Sequence, residues 1–206
     1  MNFSNYADFR NKVQVLLDGD DISTSDLSVA TLDLVISAGE QRLYREFRSS
    51  TQDTALSLTI TSNVATLPTD FLELRGSPYI GTNAPTKYMP WEELQGRLQS
   101  DPGGGNAIFY TFQGDTMIFW PLQATGTSVT GRYYKRPADI STGLSSTFTR
   151  HPDLFLYAAL AESGTFLGEM TRLPAWEQKY VTLVSAANEQ ERRRVTRGSK
   201  LQTRVA

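Results

Sequence analysis

The sequence predicts an α+β fold, with helices at both ends of the chain and strands in the middle. Three observations predict it. Near each terminus apolar residues recur every three to four positions. Between about Thr54 and Ser141 they alternate every second position. No strand–helix–strand alternation appears, so a nucleotide-binding parallel sheet is not what this order of elements builds. The economical topology is a four-helix core made from residues 1–53 and 142–191, a β-rich insertion at 54–141 and a basic tail at 192–206.

Each element has its own signal. Phe3, Tyr6, Phe9, Val13, Leu16 and Leu17 mark a first amphipathic helix, broken by Asp18-Gly19-Asp20-Asp21. A second starts near Ser25 or Ser28 and runs to about Arg48, with the stripe Leu32, Val35, Ile36, Gly39, Leu43 and Phe47. Glycine inside a helix costs ~1 kcal/mol against alanine, and a close helix–helix contact is the usual reason to accept it. Leu56, Leu58 and Ile60 then alternate with Ser57, Thr59 and Thr61 as a half-buried strand. Ser62 and Asn63 form a turn, and residues 64–67 form the return strand. Residues 71–75 fit a short helix or a strand, and 92–99 fit a short helix. Residues 109–112 and 116–120 flank Gln113-Gly114-Asp115 as a hairpin, and 129–134 form one more strand before Pro137. Pro152 and Asp153 open a third helix, with Leu154, Tyr157, Ala158, Ala161, Thr165 and Phe166 along one face and Gly168 at its end. Pro174 opens a fourth, carrying Trp176, Tyr180, Leu183, Val184 and Ala187 into an arginine cluster.

Composition narrows the chemistry. The 206 residues include no cysteine, which removes disulfides, thiolate metal sites and cysteine nucleophiles. One histidine, His151, removes any two-histidine mechanism within a chain. It stands before a helix-start proline and reads as a capping or surface residue. No apolar run approaches the ~20 residues that span a bilayer. No basic segment followed by an apolar stretch opens the chain, so production in a cytoplasm, without a membrane, is expected. Neither a phosphate-binding Gly-x-x-x-x-Gly-Lys-Ser/Thr loop nor a Gly-x-Ser-x-Gly elbow occurs. Asp18-Gly19-Asp20 resembles the opening of a calcium loop, but Ile22, Ser23 and Val29 stand where ligands or glycine are needed. Glu92 and Glu93 are adjacent on one helix and do not converge on a substrate. The expectation is a non-enzyme without metal or cofactor. Tyr110, Phe112, Phe119, Trp120, Tyr133 and Tyr134 suit a core or subunit contact better than a base-stacking platform, which wants more interleaved Lys and Arg.

The charge is uneven. Arg192, Arg193, Arg194, Arg197, Lys200 and Arg204 put six positive charges and no acid in residues 192–206. With a net charge of −2, residues 1–191 therefore carry −8. Such a tail neutralises phosphates, frays as a solvated helix end, or docks on an acidic protein surface. Leu201, Thr203 and Val205 interleave with the charges, as a segment laid on a partner would want.

Four strings carry a resemblance: Val64-Ala-Thr-Leu-Pro-Thr-Asp-Phe-Leu-Glu-Leu-Arg75; Tyr110-Thr-Phe-Gln-Gly-Asp-Thr-Met-Ile-Phe-Trp-Pro121; Gly131-Arg-Tyr-Tyr-Lys-Arg-Pro137 with Ile140-Ser141; and His151-Pro-Asp-Leu-Phe-Leu-Tyr-Ala-Ala-Leu-Ala-Glu162 with Trp176 and Tyr180. In order and spacing they resemble the head-to-tail adaptor (neck, or connector) proteins of tailed bacteriophages over residues 60–185. The resemblance implies a structural virion protein in the neck between head and tail, in a ring, usually twelve-fold, under the portal. That ring extends the DNA channel and presents a surface to a tail or nozzle protein. It also implies that the C-terminal segment, here Arg192, Arg193, Arg194, Arg197, Lys200 and Arg204, reaches the portal. An acidic lumen lets DNA pass without binding, and Asp18, Asp20 and Asp21 are the candidates for its lumen or rim. Two alternatives stay open: another virion protein contacting DNA through the basic tail, and a particle-borne cell-wall hydrolase.

Overall fold

A computed structural model of the protein describes residues 2–18, 28–81, 85–167 and 172–196. The elements follow in the order α1 (Tyr6–Asp18), α2 (Val29–Glu46), β1 (Asp53–Thr59), β2 (Val64–Thr66), β3 (Phe71–Leu74), β4 (Tyr79–Ile80), β5 (Lys87–Tyr88), α3 (Trp91–Ser100), β6 (Phe109–Gln113), β7 (Thr116–Trp120), β8 (Ser128–Lys135), α4 (Ser146–Arg150), α5 (Pro152–Leu167) and α6 (Leu173–Thr196). This is an α+β chain. It divides into two compact units, residues 1–51 with 137–206 and residues 52–136.

The first unit is helical. Leu154, Phe155, Leu156, Ala158, Ala159 and Leu160 of α5 are all buried, and they point around the whole helix. A helix apolar on every side belongs in the middle of its unit, and α1, α2, α4 and α6 all pack against α5. Ser28 caps α2 by accepting a hydrogen bond from the Thr31 amide at 3.1 Å. Gly39 on α2 is buried, and a Cβ built there falls 2.5 Å from the Ala159 backbone nitrogen. The glycine in the α2 stripe is therefore where the α2 and α5 backbones touch.

Arg42, one turn further along α2, gathers the three large helices. Its guanidinium donates to Glu46, to Glu162 of α5 at 3.1 Å, and through two nitrogens to Glu177 of α6. It also lies 4.4 Å from the centre of the Tyr180 ring, whose hydroxyl donates to Glu46 at 2.9 Å. Hydrogen bonding from Arg42 holds the Glu177 carboxyl below its ordinary range.

Six helices occur among the described residues, where the sequence pattern indicated four plus the short one now seen as α3. The addition is α4. Its five residues, STFTR, contain a single large apolar side chain and so have no periodicity to read. Ser145 caps α4 by accepting from the Phe148 amide, and Phe148 fits edge-on between Phe9 and Phe155, both 5.1 Å away.

The second unit has two four-stranded sheets. In one, β8 runs between β1 on one side and β3 with β4 on the other. The other has the order β2-β7-β6-β5, with only β5 and β6 parallel. Ser62 and Asn63 do form the expected turn, both at positive φ (51° and 67°), and Thr61 and Val64 exchange two backbone hydrogen bonds. The following strand does not return along β1, however. β1 pairs with β8 and β2 with β7, so the turn leads from one sheet to the other. Asn63 fixes that step. Its side-chain amide donates to the Phe119 carbonyl at 2.8 Å and accepts from the Gln123 amide at 2.9 Å. Residues 71–75 resolve as strand β3.

Alternation along β7 puts Met117 and Phe119 into a core with Ile60, Ile80 and Val129, and turns Ile118 towards Leu94 of α3. Tyr110 and Phe119 are buried in the first of these cores, and Tyr133 is buried with its ring stacked on Phe71, which removes all three as base-stacking surfaces.

The α2–α5 contact makes a sharp prediction. On helix propensity alone Gly39→Ala stabilises by ~1 kcal/mol. With a backbone atom 2.5 Å from the new methyl, overpacking dominates, and a net loss of about 1–3 kcal/mol is expected. Urea unfolding of the two proteins checks the sign.

Candidate functional site

The α6 helix runs past its last core residues into the arginine cluster. Tyr180, Val184 and Ala187 are buried against the helical core, and Glu191 is the last buried side chain on the same side. Arg192, Arg193 and Arg194 follow within the helix, all three exposed. Arg197, Lys200 and Arg204 lie outside the described residues, as do Asp20 and Asp21. Asp18 is the last residue of α1.

Acids from the preceding turn meet part of this charge. Glu189 accepts from Arg193 at 3.1 Å and pairs with Arg192 at 3.1 Å. The Arg193 hydrogen bond leads in holding its carboxyl below the ordinary range. Arg194 is different. Its Nη1 donates to the Ser50 hydroxyl at 2.7 Å, and no carboxylate lies within pairing distance of it among the described residues. Arg150, at the end of α4, donates to the same hydroxyl at 2.9 Å. Two guanidinium groups thus share one neutral oxygen.

Ser50 belongs to the segment that leaves α2. Its amide donates to Glu191 Oε2 at 3.0 Å. Asn188, one turn back on α6, donates to the Glu46 carbonyl at 2.9 Å and accepts from the Arg48 amide at 3.4 Å. Glu191 also faces Arg150 at 3.7 Å and His151 at 3.9 Å. A cleft of about 690 Å³ opens here, lined by Arg150, Arg193, Arg194, Glu189 and Glu191.

Sequence reasoning found the three arginines but missed Arg150, Ser50 and Glu191. Glu191 and Arg150 stand far apart in sequence, and each reads alone as an ordinary polar position. His151 does cap a helix, as the C-cap of α4 with its amide donating to the Thr147 and Phe148 carbonyls, but its side chain is largely buried rather than on the surface. It sits 5.2 Å from the Phe47 ring, and its Nε2 is buried without a hydrogen-bond partner. Burial lowers its pKa from the ordinary 6.5, opposed by Glu191 and Asp153.

Ser50, His151 and Glu191 are the residue types of a hydrolytic triad, but they are not wired as one. The Ser50 oxygen receives two guanidinium donors, and His151 Nε2 makes no bond to it. Glu92 and Glu93 are exposed in the first turn of α3. Among the described residues no group of three or more His, Asp or Glu side chains is placed to hold a metal ion, and no helix is long and apolar enough to cross a membrane. The arrangement sets two guanidinium groups side by side on one hydroxyl, with no imidazole bonded to it.

His151 sets a pH dependence. Below pH 6.5 the unfolded chain takes up a proton that the folded chain resists, so the unfolded state binds more protons and stability falls with falling pH. Chemical unfolding between pH 7.5 and 5.5 is expected to show this slope, and His151→Gln to flatten it. The lone imidazole's proton resonances are expected to titrate below 6.5 in the folded protein.

A model of the SU10 adaptor protein family matches residues 4–204. No curated protein matches the chain.

Proposed function

Because the chain belongs to the SU10 adaptor protein family, a phage head-to-tail adaptor family, we propose that it forms a ring docked on the portal, twelve-fold, which extends the DNA channel and offers an attachment surface to the tail or nozzle. The observation that carries this reading is the span of the family match, which takes in both units and the basic C-terminal segment. As a phage adaptor it is a structural protein, and its place is the neck of the virion.

Within that reading, Arg192, Arg193 and Arg194, with Arg197, Lys200 and Arg204 beyond them, form the portal-docking element. Three exposed cations on one turn of a helix anchored in the core present charge at a fixed place, and a helix C-terminus favours cations. Their counterpart is an acidic groove on the portal. Asp18, Asp20 and Asp21 face the lumen or its rim, where carboxylates repel phosphates and avoid the counterion release that lysine and arginine would drive. Successive subunits meet through unlike surfaces, as a closed ring without two-fold interfaces requires.

Co-sedimentation with a purified portal ring, followed by imaging, tests the assignment. Stoichiometric co-migration as a stacked ring is expected. Removing residues 192–206 is expected to abolish docking while leaving the helical circular dichroism signal of the bundle in place. Undiminished docking of the truncated chain overturns the role given to the arginines. Salt-dependent retention on duplex DNA with no portal association overturns the adaptor assignment itself.

A further inference from the structure

We propose that the cleft between α4 and the end of α6 is a carboxylate-binding site, in which Arg150 and Arg194 grip an acidic side chain of a protein partner. The inference rests on the adaptor reading only for the identity of that partner, the portal. The site itself follows from geometry.

Arg150 and Arg194 come from different helices, yet each donates to the Ser50 oxygen, at 2.9 and 2.7 Å. Like charges brought this close repel, and a single neutral hydroxyl compensates them poorly. Arg194 meets no carboxylate among the described residues, and Arg150 meets Glu191 only at 3.7 Å, with that carboxylate already engaged by the Ser50 amide. Guanidinium forks bind carboxylates through two parallel hydrogen bonds, the strongest pairing open to them. An incoming carboxylate therefore replaces a shared hydroxyl with a charge-matched acceptor.

The surroundings select the kind of anion. Glu189 and Glu191 line the same cleft. Duplex DNA carries a charge every ~1.7 Å along its axis and would have to bring phosphates past both glutamates. One Asp or Glu side chain with uncharged flanks passes between them. A cleft of about 690 Å³ is in the range of sites that enclose a small ligand or a short peptide segment, and a duplex does not enter it.

The test uses the full-length protein and a defined probe, a fluorescent peptide with one central glutamate flanked by glutamines, with an all-glutamine peptide of the same length and a duplex oligonucleotide for comparison. Saturable binding of the single-glutamate peptide is expected, without binding of the all-glutamine peptide. Arg194→Gln and Arg150→Gln are each expected to weaken it about tenfold, the worth of one charge-assisted bond. Arg194→Lys, which keeps the charge and loses the fork, is expected to weaken it too. Lys179→Gln, the same charge change at an exposed position elsewhere on α6, is expected to leave binding within about twofold, which is the scale of an exposed charge. Arg194 touches no carboxylate, so its variants keep the test independent of any loosening at Glu191, and thermal melts verify folding.

Equal losses in Lys179→Gln and Arg194→Gln overturn the site, because net charge then explains the binding. Tighter binding of the duplex with the same dependence on Arg150 and Arg194 overturns the choice of carboxylate. These readouts need no portal, so a failure of the site is distinguishable from a failure of the adaptor reading. If wild-type protein docks on the portal and Arg194→Gln docks equally well, the site falls and the adaptor reading stands.

Discussion

The helical unit depends on one close approach. Gly39 lets the α2 backbone rest on α5 at Ala158 and Ala159, where a single methyl has no room. Around that contact α5 can be apolar on all sides, because α1, α2, α4 and α6 cover it. Arg42 lies one turn away, and the spacing there brings it within reach of carboxylates on both α5 and α6. An exposed ion pair contributes little. Here one guanidinium serves three carboxylates and stacks on a buried tyrosine, so its value lies in fixing how three helices align.

A second polar junction is built at the other end of α6. Asn188 satisfies groups at the end of α2, where helices leave carbonyls without internal partners. Glu191 receives the amide of Ser50, just before the chain crosses into the β unit at Gln52. His151 lies beside this junction, its ring set against Phe47 and facing Glu191 at 3.9 Å. The arginines that follow are therefore borne on a helix whose last turns are bonded to the segment that leaves α2, within the helical unit.

Periodicity made most of the fold legible. Both terminal helix pairs, the 109–120 hairpin and the long strand ending near Tyr134 were readable because each repeats its apolar residues often enough to define a face. Gly39 was readable too, since a glycine in an apolar helical stripe has few explanations. What failed to show were elements too short to repeat: α4 with its single Phe148, and the two-residue strands β4 and β5. The turn at Ser62 and Asn63 was visible, but its outcome was not. The side-chain amide of Asn63 bonds a carbonyl 56 residues away, and no local pattern records such a partner. The candidate site divides in the same way. Three arginines in a row are conspicuous, whereas Ser50 and Arg150 acquire meaning only where three segments meet.

The continuity of α6 has a mechanical consequence. Its 24 residues make a rod about 36 Å long. One end lies in the core through Tyr180, and the other carries Arg192, Arg193 and Arg194. Tension applied to those guanidinium groups loads the last turn of the helix first, whose axial hydrogen bonds stand in series. Behind that turn the Asn188 and Glu191 bonds to the segment leaving α2 take the load before it reaches the buried Tyr180. The play of the basic end is therefore set by the few residues beyond Glu191.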